Sequence, residues 1–181
     1  MLEDQIEGAV FIGLSLDGQI ARANGDIDWL TGDAPDGEEP PADTGYDEFF
    51  ASVDAMAMGS NTYETVLGFD APWYYKDKPV LVLSRTLDSS PIETVSFHRS
   101  VDELVAAARE RGLRRLYVDG GETIQEFLRR GLISEITLTF LPVLIGRGIP
   151  LFGELDRDIH LDLVSARQLS KGMVQLKYQS P

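Results

Sequence analysis

The sequence contains no cysteine. Disulfides, thiolate nucleophiles and Cys-based zinc or iron–sulfur sites are therefore excluded. Histidine is scarce: His98 and His160 are the only two, far apart and without metal-ligand spacing, and they read as ordinary surface or edge residues. Bases are outnumbered, 16 Lys and Arg against 30 Asp and Glu, for a formal net charge of −14. A chain this acidic repels phosphate backbones and anionic lipid, so neither a nucleic acid nor a membrane is expected as partner. No apolar run approaches the ~20 residues that cross a bilayer. The N-terminus, MLEDQIEGAV, lacks the pattern of a signal peptide. What is left is a cytoplasmic enzyme or binding protein for a small molecule. If that molecule is an anion, a few arginines and backbone N–H groups must meet its charge locally.

The 181 residues suffice for one domain with a proper core, and neither a repeat nor a linker divides them. Gly8 to Leu14 (GAVFIGL) is a nearly continuous apolar run, the mark of a strand buried on both faces. Ser15 to Gly45 is rich in glycine, proline and aspartate and reads as one long loop, either functional or disordered, its end GDAPDGEEPPADTG expected to be mobile. Tyr46 to Val53 reads as a short helix, Asp54 to Gly59 as a buried strand, and Asn61 with Glu64 as a capping box that starts a helix near Thr62. Pro79 to Leu83 and Ile92 to Phe97 read as strands. Ser100 with Glu103 is a second capping box, Leu113 to Val118 a strand, and Thr123 with Glu126 a third box. Glu135 to Leu141 alternates like a strand, and Ile159 to Gln168 with Gly172 to Tyr178 predict a closing hairpin. The order predicts an α/β three-layer sandwich with a mainly parallel central sheet and an antiparallel C-terminal hairpin.

Three strand ends carry phosphate-type chemistry. In LYVDGGETIQEFL a strand stops at Gly120-Gly121 and a helix begins at once. Glycines there let backbone approach a ligand, and the helix start offers unpaired N–H groups and the positive end of its dipole. That is a pyrophosphate seat needing no lysine; the bland alternative is a tight turn. AMGSNTYETV repeats the layout with Gly59, and VLVLSRT ends a strand in Ser84-Arg85, a hydroxyl and a guanidinium suited to phosphate. Three such seats at consecutive strand ends suggest an extended ligand with several phosphates, such as a dinucleotide.

With SLDGQIA, GDIDWL, DAMAMGSNTYETV, PVLVLSRT, YVDGGETIQEFL and ITLTFLPVLIGRGIPLF in order over residues 8 to 152, the chain resembles the dihydrofolate reductase superfamily. It is most similar to the branch that includes the reductase domain of riboflavin biosynthesis, the RibD C-terminal domain. The resemblance implies a dihydrofolate reductase-like fold and an NADPH-dependent reductase of a small heterocyclic substrate, resembling 5-amino-6-(5-phosphoribosylamino)uracil reductase. Dihydrofolate reduction is the alternative within that class, and a non-catalytic nucleotide-binding protein the alternative outside it. The resemblance places Gly59, Ser60, Asn61 and Thr62 at the cofactor's phosphates, Ser84 and Arg85 near the adenosine 2′-phosphate, and Gly120, Gly121, Glu122 and Thr123 at the pyrophosphate turn. It places Trp29 beside the nicotinamide, with Asp17 and Gly18 at the start of the same loop. The acid near the hydride acceptor is Asp47, Glu48 or Asp119; the riboflavin branch has Glu where this chain has Asp119, followed by a single glycine rather than two. No metal is implied. ITLTFLPVLIG is apolar enough for a homodimer interface, the alternative being a buried strand.

Overall fold

The computed structural model describes residues 5–31, 43–69, 71–75 and 78–181. The apolar run at the N-terminus becomes β1 (Glu7–Ser15), near the middle of an eight-stranded sheet. The other strands of that sheet are β3 (Ala55–Gly59), β4 (Val80–Leu83), β5 (Val95–His98), β6 (Arg115–Asp119), β7 (Ile133–Leu141), β9 (Asp162–Gln168) and β10 (Val174–Gln179), in the order β5-β4-β3-β6-β1-β7-β10-β9. Every neighbouring pair from β5 to β7 is parallel, and β10 runs antiparallel to both β7 and β9. This is the mainly parallel sheet with an antiparallel C-terminal hairpin that the sequence order implies.

Strand alternation sorts the core into two layers. Ala55 and Ala57 of β3, with Leu116 and Val118 of β6, join one buried cluster; Met56, Met58 and Tyr117 join the other. The first cluster is closed by α4 (Val101–Glu110) and α5 (Gly121–Arg129), the second by α2 (Tyr46–Ser52) and α3 (Ser60–Leu67). Residues of both parities are apolar because helices cover both faces. No helix among the described residues is long and apolar enough to cross a membrane.

Three sequence expectations are corrected. The long loop is not structureless: it contains β2 (Gln19–Arg22), which pairs with β8 (Gly148–Pro150) in a separate ribbon, and a single turn, α1 (Asp28–Thr31). Its stretch 32–42, where the mobile end was expected, lies outside the described residues. Of the three capping boxes, only Ser100 acts as one, its hydroxyl accepting from the Glu103 amide. The other two helices start earlier, at Ser60 and Gly121, behind glycine N-caps without a side-chain bond. Glu126, read as a capping partner, instead holds Arg129 and Arg130. Within the segment ITLTFLPVLIG, Ile136, Thr137, Leu138 and Thr139 are buried in β7 between β1 and β10, whereas Leu144 is exposed.

Phe127 of α5 has no exposed surface and lies in the first cluster. Phe127→Ala is expected to lower the free energy of unfolding by about 3–5 kcal/mol, read from urea denaturation. A loss under about 1 kcal/mol, the size of a surface substitution, would contradict its place in the core.

Candidate functional site

The carboxyl ends of β3, β4 and β6 lie side by side, with Met58 opposite Asp119 and Gly59 opposite Leu83. Ligands of open α/β sheets bind at this edge. A groove of about 1250 Å³ runs along it. Gly59, Ser60, Asn61, Thr62, Ser84, Arg85, Asp119, Gly120, Gly121, Glu122 and Thr123 all line it, so the structure brings together eleven of the residues singled out in the sequence.

The starts of α3 and α5 meet in its floor. A Cβ on Gly120 would lie 2.5 Å from Thr62 Oγ1, and one on Gly59 would lie 3.1 Å from Thr123 Oγ1. Each glycine thus makes room for the threonine of the opposite helix. Gly120 also has φ 89, a left-handed value that a side chain would strain. Neither helix has a side-chain cap, so first-turn N–H groups of both, and the positive ends of both dipoles, converge on one space. Such a pair of ends offers the donors and the dipoles that an anion site needs.

At the β4 end, Ser84 is buried and its hydroxyl is spent locally, accepting from the amides of Leu87 (2.9 Å) and Thr86 (3.3 Å). Arg99 secures the same turn, donating from Nη1 to the carbonyls of Ser84 and Leu87 at 2.9 and 3.0 Å. Arg85 is exposed and has no ion-pair partner among the described residues. Arg129 and Arg130 line the groove too, but Glu126 engages both at 3.0 and 2.7 Å. Among the described residues, the uncommitted cation of the groove is therefore Arg85.

Asp119 is the carboxylate of this groove that sits deepest. Its Oδ1 accepts from the Gly120 amide at 2.8 Å. Burial pushes its pKa above the ordinary 3.8, and that amide opposes the shift only in part. Tyr117, two residues before it and so on the same face of β6, donates its hydroxyl to the Phe11 carbonyl at 2.8 Å. Tyr46, Tyr74, Tyr75 and Tyr117 all line the groove with Asp119. This tyrosine wall was missed in the sequence. The signal for Tyr117 was the period of two; Tyr74 and Tyr75 come from a connection with no periodicity to read.

The other candidates lie elsewhere. Asp17 accepts from the Ser15 hydroxyl and from the amides of Gly146 (2.8 Å) and Ile145 (3.3 Å), bonds that hold its carboxyl below its ordinary range. It ties the turn after β1 to the segment before β8. Gly18, at φ 80, lets that turn reverse, and its carbonyl accepts from Leu151. Trp29 is half-buried with its Nε1 unpaired among the described residues, and Ile27 and Leu30 beside it reach the groove instead. Asp47 and Glu48 line a different cavity, beyond Tyr46 and Tyr74, which border both spaces.

Comparison with known proteins places the fold among its relatives. The sequence model of the family described as RibD C-terminal domain matches residues 8–175. The Bacillus subtilis (strain 168) protein YwjB, which is uncharacterized, is 36% identical over 171 residues, covering 93% of this chain and 95% of its own. A crystal structure from Shewanella sp. PV-4, named for riboflavin biosynthesis, superposes with a TM-score of 0.84 at 36% identity, over 97% of this chain and 99% of its own. A diaminohydroxyphosphoribosylaminopyrimidine deaminase/5-amino-6-(5-phosphoribosylamino)uracil reductase from Thermotoga maritima shares the fold, with a TM-score of 0.71 at 14% identity; 99% of this chain matches 58% of that longer one.

The raised pKa of Asp119 sets the sign of a pH effect. The folded state binds this proton more tightly than the unfolded chain, so stability falls as pH rises above 3.8 and through the folded-state value. Asp119→Asn, which carries no charge to desolvate, is expected to melt higher than the native protein at pH 8. The gain should shrink as pH approaches 3.8. A pH-independent difference in Tm would contradict the burial of this carboxyl.

Proposed function

Because the chain belongs to the RibD C-terminal domain family, we propose that it is an NADPH-dependent reductase of a small heterocyclic substrate. Its substrate resembles the 5-amino-6-(5-phosphoribosylamino)uracil for which the Thermotoga maritima neighbour is named. The observation that carries this reading is the convergence of two uncapped helix starts on one groove, with an unpaired guanidinium at the next strand end. A volume of about 1250 Å³ exceeds the ~300–1,000 Å³ of ordinary small-ligand sites and suits an extended coenzyme.

The donor set fits such a group. The amides at the starts of α3 and α5 would hold the pyrophosphate, and Arg85 would hold a further phosphate by charge-assisted bonds. That arrangement answers the problem posed by a net charge of −14, since most of the binding comes from backbone dipoles rather than from side-chain cations. NADPH, when bound, supplies the hydride. Ile12, Ile20 and Leu30 give the groove an apolar wall that excludes water. Asp119 keeps its proton at higher pH than an exposed aspartate and is the group to hold or deliver a proton at the acceptor. Asp47 and Glu48, the acids a dihydrofolate-type site would use, border the other cavity, which supports Asp119 for this role.

Titration with NADPH and NADH, followed by the fluorescence of Trp29 and Trp73, tests the reading. Binding of NADPH is expected to be the tighter, and Arg85→Gln should erase about tenfold of that preference, the worth of one charge-assisted contact. Turnover is then assayed with the ribosylaminopyrimidine phosphate and with dihydrofolate. Reduction of the first supports the proposal; reduction of dihydrofolate alone, or tight binding with no turnover of either, replaces it. No binding at millimolar NADPH ends it.

A further inference from the structure

The second cavity, about 1080 Å³, lies over the β7, β10 and β9 part of the sheet, beside α2. Strand register arranges its floor in two rows. Phe11, Thr137, Lys177 and Ser165 face each other across β1, β7, β10 and β9; in the next row Gln175 stands between Thr139 and Arg167. Cross-strand partners point to one face, so these side chains form a continuous polar platform.

The sheet floor offers donors that are not fully engaged. Arg167 uses only Nη2, donating to the Gln175 side chain and to the Thr44 carbonyl, and it has no carboxylate partner among the described residues. Lys177 Nζ lies 3.0 Å from Glu135, but Arg115 holds the same carboxylate at 3.0 Å. The cavity is lined by three cations, Arg115, Lys177 and Arg167, and by four carboxylates, of which Glu135 lies on the sheet floor while Asp43, Asp47 and Glu48 stand exposed at the rim. Thr137 is only 5% exposed, and its hydroxyl has no partner among the described residues although it lines the cavity. The hydroxyl of Ser165 is likewise unpartnered among them. Neither oxygen is sealed off from the cavity, so both are open to a ligand there. Asp47 and Glu48 stand on α2, exposed to solvent, where they are screened.

We propose that this cavity is an oxyanion subsite in which Arg167 and Lys177, with the hydroxyls of Thr137 and Ser165, hold a phosphate or carboxylate carried by the substrate. The shared wall of Tyr46 and Tyr74 lets one molecule present its reacting end toward Asp119 and its anionic end to the platform. The link to a substrate rests on the reductase reading; the anion seat itself does not.

The test is calorimetric titration with inorganic phosphate, glycerol 3-phosphate and malonate at constant ionic strength. It uses the native chain, the chain saturated with NADPH, and an Arg85→Gln variant that weakens the groove as a competing phosphate site. Binding is expected in all three. Arg167→Gln and Lys177→Gln should each weaken it about tenfold and Thr137→Val about threefold, with NADPH affinity unchanged and folding verified by circular dichroism. A preference for glycerol 3-phosphate identifies a phosphate ester as the natural group, and a preference for malonate a carboxylate; either supports the subsite. Absence of binding, binding unaffected in all of Arg167→Gln, Lys177→Gln and Thr137→Val, or binding abolished by Arg85→Gln overturns it. Phosphate binding that needs Arg167 in a protein that never binds NADPH would sink the reductase reading and leave the subsite standing.

Discussion

The site depends on one reciprocal contact. Gly59 at the start of α3 faces Thr123 of α5, and Gly120 at the start of α5 faces Thr62 of α3. Because both N-caps are glycine, the two helix ends pack against each other instead of being closed by their own side chains. Their unsatisfied amides then point at a common space, and the sheet below fixes them there through the pairing of Met58 with Asp119. The costs usual for glycine in a folded chain are borne at the place where backbone must stay accessible.

Electrostatics follow from the same arrangement. On a molecule with a net charge of −14 a binding site for a polyanion has to be local. Dipoles of the helix ends are short-ranged and unaffected by the distant surface carboxylates that screening removes. Most arginines near the groove are consumed by structure: Arg99 holds the turn after β4, and Arg129 and Arg130 neutralise Glu126. Among the described residues Arg85 stays uncommitted, and burial holds the pKa of Asp119 above that of an exposed aspartate.

Much of this was legible in the sequence, since strands buried on both faces announce themselves as apolar runs and ligand seats in α/β sheets fall at strand ends. GAVFIGL, DAMAMG and PVLVL became central strands, and the glycine–helix junctions became the groove. Polar residues near a helix start were less reliable guides. Asn61 and Thr123 were read as caps from a three-residue spacing to glutamate, but a glycine just before each had already begun the helix. Trp29 and Asp17 show a second limit. Their loop is pinned to the β8 region by contacts across more than a hundred residues, such as Asp17 with Gly146, which no local pattern encodes. The division between Asp119 and the pair Asp47 and Glu48 was also out of reach. It depends on where Tyr46 and Tyr74 meet in space.

The central claim, that main-chain amides at two opposed helix starts hold the coenzyme, is tested most directly by nuclear magnetic resonance of the ¹⁵N-labelled protein titrated with NADPH. The account predicts the largest amide shifts at Ser60, Asn61, Gly121 and Glu122, with little change in β9 and β10. Saturable binding that leaves those four amides unmoved would contradict it.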